Sequence, residues 1–245
     1  MMRRFEGKTV LITGASSGLG KACAKRLAAE GASLVLIGRN PETLDQSGVN
    51  GGKHVCDLTD EAAVKALLAK LKEQSGNISG WVLAAGVQDV RPLRMESQAT
   101  LQNTWAINVQ GTLGFLALAL KSRIVEAGGS IVLFYSAAVH AGGIGLVSYA
   151  ASKGAIEAAT RSLALELAAQ KIRVNAVAPG VIPTPMSDKY LSKMTPDAVA
   201  SIEALHPLGF GKPEDVAGPV AFLLSEDARW ITGSVLAIDG GLSIH

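Results

Sequence analysis

The sequence has little of what marks a nucleic-acid-binding or a membrane protein. Its 23 Lys and Arg residues nearly balance its 21 Asp and Glu residues, the formal net charge is +2, and no basic cluster or acidic tail occurs. The longest apolar run, around residues 113–120, is too short to cross a bilayer, and residues 10–12 are too few for the core of a signal peptide. We therefore expect a cytoplasmic protein without a nucleic-acid or membrane partner.

Cysteine and aromatic residues are also scarce. Only Cys23 and Cys56 are present, both in apolar surroundings and without the spacing of metal ligands, which predicts buried thiols and no metal site. Aromatic residues make up 4% of the chain, whereas apolar residues as a whole make up 48% and include many Ala and Val. Such side chains suit helices that pack closely on a strand-rich sheet.

Strand-like and helix-like segments alternate along all 245 residues. The β-branched run 8–13, the helical pattern 21–30 and the apolar run 33–37 predict a strand–helix–strand unit. Because the length fits one domain and no linker or repeat occurs, we predict a single α/β domain over 1–245, a doubly wound parallel sheet (Rossmann fold) with helices on both faces. Further strands are predicted at 54–56, 80–84, 130–135, 173–178 and 234–238, and further helices at 60–74, 100–127, 147–170, 198–204 and 213–225.

A glycine-rich turn follows the first predicted strand. Thr13-Gly-Ala-Ser-Ser-Gly-Leu-Gly20 lies between that strand and a helix, where backbone N–H groups and the helix dipole can hold a pyrophosphate. The same glycines would also suit a structural turn that only needs tight packing. Their Gly-x-x-x-Gly-x-Gly spacing differs from the general Gly-x-Gly-x-x-Gly pattern of dinucleotide-binding folds.

The stretch 136–153 contains a hydroxyl, a phenol and an ammonium that could converge on one substrate oxygen. Tyr149 and Lys153 are four positions apart, so on a helix they share a face, and an ammonium beside a phenol favours its ionised form. Ser136 follows an apolar strand, at the edge of the sheet where such folds place catalysis. Because isolated Tyr/Lys pairs also occur by chance on solvated helix faces, the role of this pair depends on the rest of the chain.

Taken together, these motifs resemble the short-chain dehydrogenase/reductase family over nearly the whole chain. The resemblance rests on the Thr-Gly-x-x-x-Gly-x-Gly motif at 13–20, on Tyr-x-x-x-Lys at 149–153 and on Ser136, thirteen residues before the tyrosine. One departure is that the family commonly has Asn-Asn-Ala-Gly where this chain has Leu-Ala-Ala-Gly at 83–86, which weakens a structural and adenosine-side role and leaves the catalytic set intact. Further matches, in chain order, are Asp57, Ala85, Gly86, Asn108, Asn175, Pro179 and Gly180.

The resemblance implies an oxidoreductase that transfers a hydride between a nicotinamide and a carbonyl or secondary alcohol. Tyr149 would be the general acid/base, Lys153 would lower its pKa and hold the nicotinamide ribose, and Ser136 would bind the substrate oxygen. Asn108 would support a water relay to Lys153. The predicted catalytic residues are therefore Asn108, Ser136, Tyr149 and Lys153.

The end of the second strand favours NADP(H) over NAD(H). An acidic residue there would bind the ribose hydroxyls of NAD, but this chain has Arg39, which suits a 2′-phosphate. By resemblance, Asp57 would contact the adenine amine, although it could instead be a cap at the entry of a helix. Residues 181–184 would line the nicotinamide carboxamide. The predicted cofactor-binding residues are Gly14, Ser16, Ser17, Gly18, Leu19, Gly20, Arg39, Asp57, Leu58, Ala85, Gly86, Asn108, Tyr149, Lys153, Pro179, Gly180, Ile182 and Thr184.

The substrate is less clearly indicated. The flexible-looking stretch 186–208 and the loop 140–146 would shape the pocket, and His140 in that loop is either a substrate contact or a surface residue. Small and apolar candidates there suggest an uncharged or apolar ketone or alcohol. The tail 205–217 resembles bacterial 3-oxoacyl-acyl-carrier-protein reductases, and a non-catalytic nucleotide-binding regulatory protein is the alternative of another class. By resemblance we expect a homo-oligomer, a dimer or a tetramer. The pocket candidates are Ala137, Ala138, Ile144 and Met186.

Overall fold

A computed structural model describes residues 3–244 as one sheet flanked by helices. All seven strands are parallel, in the order β3-β2-β1-β4-β5-β6-β7. The predicted fold class, a doubly wound α/β sheet of the Rossmann type, is confirmed. The strands are β1 (Thr9–Thr13), β2 (Ser33–Gly38), β3 (Gly52–Val55), β4 (Ile78–Leu83), β5 (Val125–Phe134), β6 (Arg173–Pro179) and β7 (Val235–Ile238).

Helices cover both faces of this sheet. They begin at side-chain caps or prolines at several positions, such as the Asp60 carboxylate that accepts from Ala63 N at 3.0 Å. The helices are α1 (Gly18–Ala29), α2 (Pro41–Asp45), α3 (Glu61–Ser75), α4 (Gln98–Trp105), α5 (Thr112–Lys121), α6 (Ala138–Ala141), α7 (Val147–Leu167), α8 (Pro185–Leu191), α9 (Pro196–Ala204) and α10 (Pro213–Leu224). Within residues 3–244, none of these helices combines the length and the apolarity needed to cross a membrane.

Alternate strand residues feed two separate cores. Leu11, Trp81 and Leu133 pack on the side of α3, α5 and α7, whereas Ile12 and Val82 pack on the side of α1 and α10. Because both faces are covered, the strands are apolar at nearly every position instead of alternating with polar residues. The two predicted thiols, Cys23 and Cys56, are buried and free, as expected.

The strand order places a crevice at one edge of the sheet. β1 pairs with both β2 and β4, so the chain turns to opposite sides of β1 before and after β3. Ligands of open α/β sheets bind outside the carboxyl ends of the strands at such a switch point. The loops after β1 and β4 therefore face a common crevice.

The predicted long helix at 100–127 is wrong at its centre and at its end. A π-helical segment, Ala106–Gly111, separates α4 from α5, and α5 ends at Lys121. Arg123 adopts a left-handed conformation with φ of 54°, which ends the helix, and Ile124 N–H and C=O then join α5 to the sheet. Residues from Val125 onward belong to β5.

The stretch expected to look flexible, 186–208, is mostly helical. Thr184 and Thr195 each cap a helix, and each is followed by a proline at the first helical position. The second of these helices was predicted at 198–204 and begins two residues earlier, at Pro196. The first, α8, was missed because the Thr-Pro pair and the surrounding polar residues suggest a loop. The short helix α6 was missed as well.

Candidate active site

A cleft of about 920 Å³ lies at the carboxyl ends of the strands. It takes side chains from the loops after β1, β2, β3, β4, β5 and β6, from the start of α7, and from the segment that contains α8 and α9. All predicted site residues except Asn108 line this cleft: Gly14, Ser16, Ser17, Gly18, Leu19, Gly20, Arg39, Asp57, Leu58, Ala85, Gly86, Ser136, Tyr149, Lys153, Pro179, Gly180, Ile182 and Thr184.

The glycine-rich turn serves packing at one position and leaves space at another. A Cβ on Gly20 would lie 2.3 Å from the Gly14 carbonyl oxygen, so only glycine allows α1 to pack against the turn. A Cβ on Gly18 would meet only Thr184, at 3.5 Å, and its φ of 51° is left-handed. The N-cap residue Ser17 makes no side-chain capping bond. The first turn of α1 therefore opens on the cleft, where a helix N-terminus and a free hydroxyl suit a phosphate group.

Tyr149 and Lys153 stand one turn apart at the start of α7 and are both buried, with 9% and 6% of their surface exposed. The Lys153 ammonium donates to the carbonyl oxygen of Phe134, the last residue of β5, at 2.8 Å. Its Nζ atom lies 6.0 Å from the centroid of the Tyr149 ring. Burial lowers the pKa of Lys153 to about 8. The ammonium is therefore poised to exchange a proton near neutral pH.

The partner of the Tyr149 phenol is the side chain of Ser136. Burial raises the pKa of Tyr149, and a hydrogen bond with the Ser136 side chain opposes this effect. The Ser136 hydroxyl also accepts from Ala138 N at 3.2 Å, which fixes it at the start of the loop that follows β5. The Lys153 ammonium donates to the Phe134 carbonyl, and the lowering of the Tyr149 pKa by Lys153 stays a prediction.

Asn108 lies beneath the cleft and does not line it. It is fully buried in the π-helical segment, where its Oδ1 accepts from Val87 N at 2.8 Å and its Nδ2 donates to Val87 O at 2.9 Å and to the Ser152 hydroxyl at 3.0 Å. The Ser152 hydroxyl in turn donates to Tyr149 O at 2.7 Å. The amide of Asn108 is committed to the loop after β4 and to α7, so its predicted contact with the cofactor stays a prediction.

The end of the cleft next to β2 and β3 carries Arg39 and Asp57. Arg39 follows β2 and is exposed at the cleft, as the sequence predicts. The Oδ1 atom of Asp57 accepts from Thr59 N at 2.9 Å and from the Thr59 hydroxyl at 2.8 Å. These hydrogen bonds, with a smaller contribution from Arg39, lower the pKa of Asp57. Asp57 therefore shapes the entry to α3, while the cap of that helix is Asp60.

The turn after β6 is packed against the last residues of the fold. Gly180 N donates to Ile238 O at 3.1 Å, and a Cβ on Gly180 would lie 2.8 Å from Cα of Asp239. The Thr184 hydroxyl caps α8, accepting from Ser187 N at 3.4 Å, so it is partly committed to the protein. Ile182 is buried beside this turn.

Of the predicted pocket residues, Ala138, Ile144 and Met186 line the cleft and Ala137 does not. Ala137 is buried, because its N–H donates to Pro179 O at 3.1 Å and holds the chain against β6. His140 is an exposed residue of α6 whose ring packs edge-on against Tyr135. His140 therefore lies outside the lining of the cleft.

Two residues of the site, Tyr190 and His206, are not among those predicted from the sequence. Tyr190 on α8 lines the cleft, and its pKa is raised by burial and by its proximity to Tyr149. His206 lines the cleft beyond α9 and is 3% exposed. The Thr-Pro pair at 184–185 could have indicated α8 and hence Tyr190, whereas the contacts of His206 are tertiary and no local pattern predicts them.

A parallel sheet with a phosphate-type turn after β1, and a Ser, a Tyr and a Lys grouped in its cleft, defines the class of nicotinamide-dependent Rossmann-fold oxidoreductases. The chain belongs to the short-chain dehydrogenase/reductase family and is an NAD(P)-dependent oxidoreductase. The family model described as Enoyl-(Acyl carrier protein) reductase matches residues 14–243.

Relatives of known name span the same length as this chain. It is 38% identical to the 3-oxoacyl-acyl-carrier-protein reductase FabG of Thermotoga maritima, over 98% of this chain and 100% of that protein. It is 39% identical to Carbonyl reductase family member 4 of Xenopus laevis, over 97% and 99% of the two chains. A solved structure of a short-chain dehydrogenase/reductase, glucose/ribitol dehydrogenase, from Brucella melitensis superposes with a TM-score of 0.90 at 32% identity, covering 99% of both chains.

Proposed function

We propose that this protein reduces a carbonyl group, or oxidises the corresponding secondary alcohol, with NADP(H) as the cofactor and Tyr149 as the general acid/base. The observation that carries this proposal is the grouping of Ser136, Tyr149 and Lys153 in one cleft with the open first turn of α1. Bound NADPH supplies the hydride. The side chains of the cleft then have to stabilise the charge that develops and to deliver a proton.

The hydroxyls of Ser136 and Tyr149 stabilise the negative charge that develops on the substrate oxygen. When a carbonyl carbon is reduced, negative charge grows on its oxygen, and donors already placed there stabilise the transition state more than the ground state. Ser136 positions the oxygen, and Tyr149 donates the proton. The buried Lys153 ammonium, with its pKa lowered to about 8, supplies a proton to this end of the cleft. By the resemblance to the family, Lys153 would also hold the nicotinamide ribose.

Asn108 supports this arrangement from below. Its amide fixes the backbone of Val87 after β4, and through the Ser152 hydroxyl it is joined to the backbone of Tyr149. We therefore assign to Asn108 a positioning role for the loop and for α7. The water relay implied by the family resemblance would use its backbone and not its side chain, since all the polar atoms of the side chain have protein partners.

The preference for NADP(H) rests on the adenosine end. Arg39 is exposed at the cleft, and β2 ends without an acidic residue that would repel a 2′-phosphate. Dissociation constants of NADPH and NADH for the wild type and for Arg39→Asp test this preference, with Arg229→Asp, a second exposed arginine, as the charge-matched control. We expect Arg39→Asp to lose at least tenfold in NADPH affinity. Tighter NADH than NADPH binding by the wild type would refute it.

The other end of the cleft favours an apolar substrate. Its lining is mostly apolar and includes Met186 and Met194, whose flexible side chains adapt to different shapes. Lys189 is the one cationic side chain there among the described residues. We propose an uncharged or apolar ketone or secondary alcohol as the substrate. The remaining apolar members of this lining are Val90, Ile144, Leu146, Ile202 and Leu205.

An acyl-carrier-protein thioester is the second candidate substrate. It is supported by the 38% identity to the reductase of Thermotoga maritima and by the tail 205–217. A screen of NADPH oxidation should compare free cyclic and aryl ketones with acetoacetyl thioesters, including acetoacetyl-acyl-carrier protein. Turnover confined to the carrier-protein thioester would favour this second candidate over the first.

The same screen separates an enzyme from a nucleotide-binding regulatory protein. A regulatory protein has no need for a phenol paired with Ser136, whereas proton transfer requires it. Turnover that is abolished in Tyr149→Phe supports the enzyme. Nucleotide binding with no turnover of any substrate class would favour the regulatory alternative.

Self-association is proposed from exposed apolar surface. A groove between α4 and α7 is lined by Leu101 and Trp105, and Leu165 on α7 is 82% exposed. A second exposed residue, Trp230, lies at the entry to β7 and is 97% exposed. Apolar surface of this kind is typical of interaction sites. Light scattering coupled to size-exclusion chromatography should give the mass of a dimer or a tetramer, and a monomer would contradict this proposal.

We propose the cellular compartment of the protein from the reduced state of its two buried cysteines. Cys23 and Cys56 are both buried and unpaired, and burial raises the pKa of Cys23 to about 12, which makes its thiol unreactive. Reduced, structural thiols of this kind suit a reducing compartment. We therefore propose the cytoplasm.

A further inference from the structure

His206 is held in one orientation by contacts on both nitrogens of its ring. Val181 N donates to the Nε2 atom of His206 at 3.2 Å, and the Nδ1 atom lies 3.0 Å from the carbonyl oxygen of Ile202 in α9. The ring is 3% exposed and packs edge-to-face on Phe210, with 5.5 Å between centroids. A side chain this well anchored joins two segments of the cleft that are 25 residues apart in sequence.

These contacts define the protonation state of the ring. A backbone N–H can only donate, so Nε2 must accept, and a carbonyl oxygen can only accept, so Nδ1 must carry the proton. The geometry therefore requires the neutral imidazole with hydrogen on Nδ1. An imidazolium would place two N–H groups against each other at Val181.

The two segments are the turn after β6 and the helix that covers the substrate end. Val181 follows Gly180, whose own N–H donates to Ile238 O at 3.1 Å, so two consecutive N–H groups of this turn each have a fixed acceptor. Ile202 and Leu205 line the cleft from α9 and its end. On its outer side the His206 segment packs on the last turn of the chain, where Leu208 N donates to Gly240 O at 3.0 Å.

We propose that neutral His206 is a positioning residue that orients the turn 180–184 for the nicotinamide and couples it to α9. The proposal rests on the proposed function, because it takes that turn as the nicotinamide site. Without an acceptor for Val181 N–H, the turn would lose the hydrogen bond that ties its first half to the His206 segment, while the bonds from Ser187 to Ile182 O and Thr184 O remained. NADP(H) would then bind more weakly at its nicotinamide end. The position of α9, which lines the substrate end of the cleft, would no longer be coupled to the position of the turn.

A pair of amide substitutions separates the two hydrogen bonds. In His206→Gln the side-chain oxygen can take the place of Nε2 and accept from Val181 N–H, whereas in His206→Asn the side-chain amide can take the place of Nδ1 and donate to Ile202 O. NADPH binding is measured without substrate, by the fluorescence of the reduced nicotinamide. We expect His206→Asn to bind about tenfold more weakly and His206→Gln to stay within about threefold of the wild type, as loss of one hydrogen bond predicts.

Unfolding in urea measures the structural part of each change. If His206→Asn and His206→Gln weaken NADPH binding equally, or if neither does so, the positioning role is refuted. A drop in binding that follows the loss of stability in both variants would also refute it, since a purely structural role predicts that outcome. If the wild type binds neither NADPH nor NADH, the proposed function falls and this inference falls with it.

The tautomer is tested independently of any ligand. ¹⁵N NMR of the imidazole rings distinguishes a protonated Nδ1 from a protonated Nε2, and the His206 signals are assigned by their loss in His206→Gln. We expect the Nδ1–H form at neutral pH. The Nε2–H form, or an averaged ring, would contradict the assigned contacts even if nucleotide binding is normal.

Discussion

The cleft contains two pairs of a tyrosine and a lysine in very different surroundings. Tyr149 and Lys153 lie on α7, are at most 9% exposed, and have defined partners in Ser136 and the Phe134 carbonyl. Tyr190 is partly buried on α8, and Lys189 beside it is exposed. The residue types are the same, but only the first pair is held and desolvated enough to combine a strongly lowered lysine pKa with a hydroxyl partner. Burial and fixed partners, more than residue identity, set apart the chemical end of the cleft.

The two ends of the cleft also differ in how firmly their side chains are held by the rest of the protein. The chemical end is built on β5, α7 and the π-helical segment, with every polar atom of Asn108 engaged. The substrate end is built on short helices with exposed apolar residues such as Ile144, which is 94% exposed. We therefore expect substitutions at the first end to change the rate or the stability, and substitutions at the second end to change the choice of substrate.

Substitution of the two tyrosines, Tyr149 and Tyr190, should give the largest difference in catalytic rate between the two ends. Tyr149→Phe removes the proton donor, so kcat should fall by about a thousandfold, the range of general acid catalysis, while NADPH affinity stays close to that of the wild type. Tyr190→Phe removes a hydroxyl that lines the cleft near Tyr149 but has no assigned role in proton transfer, so it should change KM by less than about tenfold. Steady-state kinetics with one ketone measure both. Comparable losses of kcat in the two variants would abolish the distinction between the ends.

The buried amide should give the next largest effect, on stability. Asn108→Ala leaves the N–H and C=O of Val87 and the Ser152 hydroxyl without their partner, and should lower the free energy of unfolding by about 2–4 kcal/mol. Gln110→Ala, an exposed position in the same π-helical segment, should change it by less than about 0.5 kcal/mol. Urea denaturation of both variants measures the difference. Equal effects would mean that the π-helical segment, and not the amide, holds the loop.

Substitution of the two lysines, Lys153 and Lys189, should affect the pH dependence of the free energy of unfolding differently. The pKa of Lys153 is about 8 in the folded protein and higher in the unfolded chain, so below pH 8 the folded state carries a desolvated charge, and between pH 8 and the unfolded value the free energy of unfolding rises with pH. Lys153→Met should therefore be more stable than the wild type at pH 7, by about 1–3 kcal/mol, and this advantage should shrink towards pH 10. Lys189→Met, at an exposed position, should follow the wild type at every pH. A pH-independent gain in Lys153→Met would show that its origin is apolar packing and not charge.

The smallest effect is expected at the rim of the substrate end. Ile144→Ala removes an apolar side chain that lines the cleft but is almost fully exposed, so it should raise KM for an apolar ketone by about threefold or less and leave kcat unchanged. A series of ketones of increasing length measures how far the effect depends on the apolar group of the substrate. A lower kcat at saturating ketone would place Ile144 in the chemical end instead.

Local patterns predicted most of the sheet because parallel strands and glycine turns are encoded by neighbouring residues, whereas most residues of the cleft were expected from the resemblance to the family. The order of strand, glycine turn and helix around Gly14–Gly20, and the placement of Ser136 and Tyr149 at strand and helix ends, follow from the periodicity of the sequence. The π-helical segment and the left-handed Arg123 could not be predicted, because the glycines at 111 and 114 do not by themselves end a helix and no local pattern marks either feature. The partners of Asn108 and His206 are tertiary contacts and have no local signature.

The caps of α8 and α9 have a consequence for how such a protein acquires a new substrate. Thr184 and Thr195 start their helices with side-chain contacts three residues ahead, so each helix is specified within its own short stretch of sequence. Apart from Ser187, whose hydroxyl donates to Ile182 O of the turn, the side chains of residues 185–205 can therefore change without disturbing any hydrogen bond of Asn108 or Lys153. In evolutionary terms, α8 and α9 form a segment between the turn after β6 and His206 whose side chains can change. New specificities can arise there while the hydride chemistry is inherited unchanged.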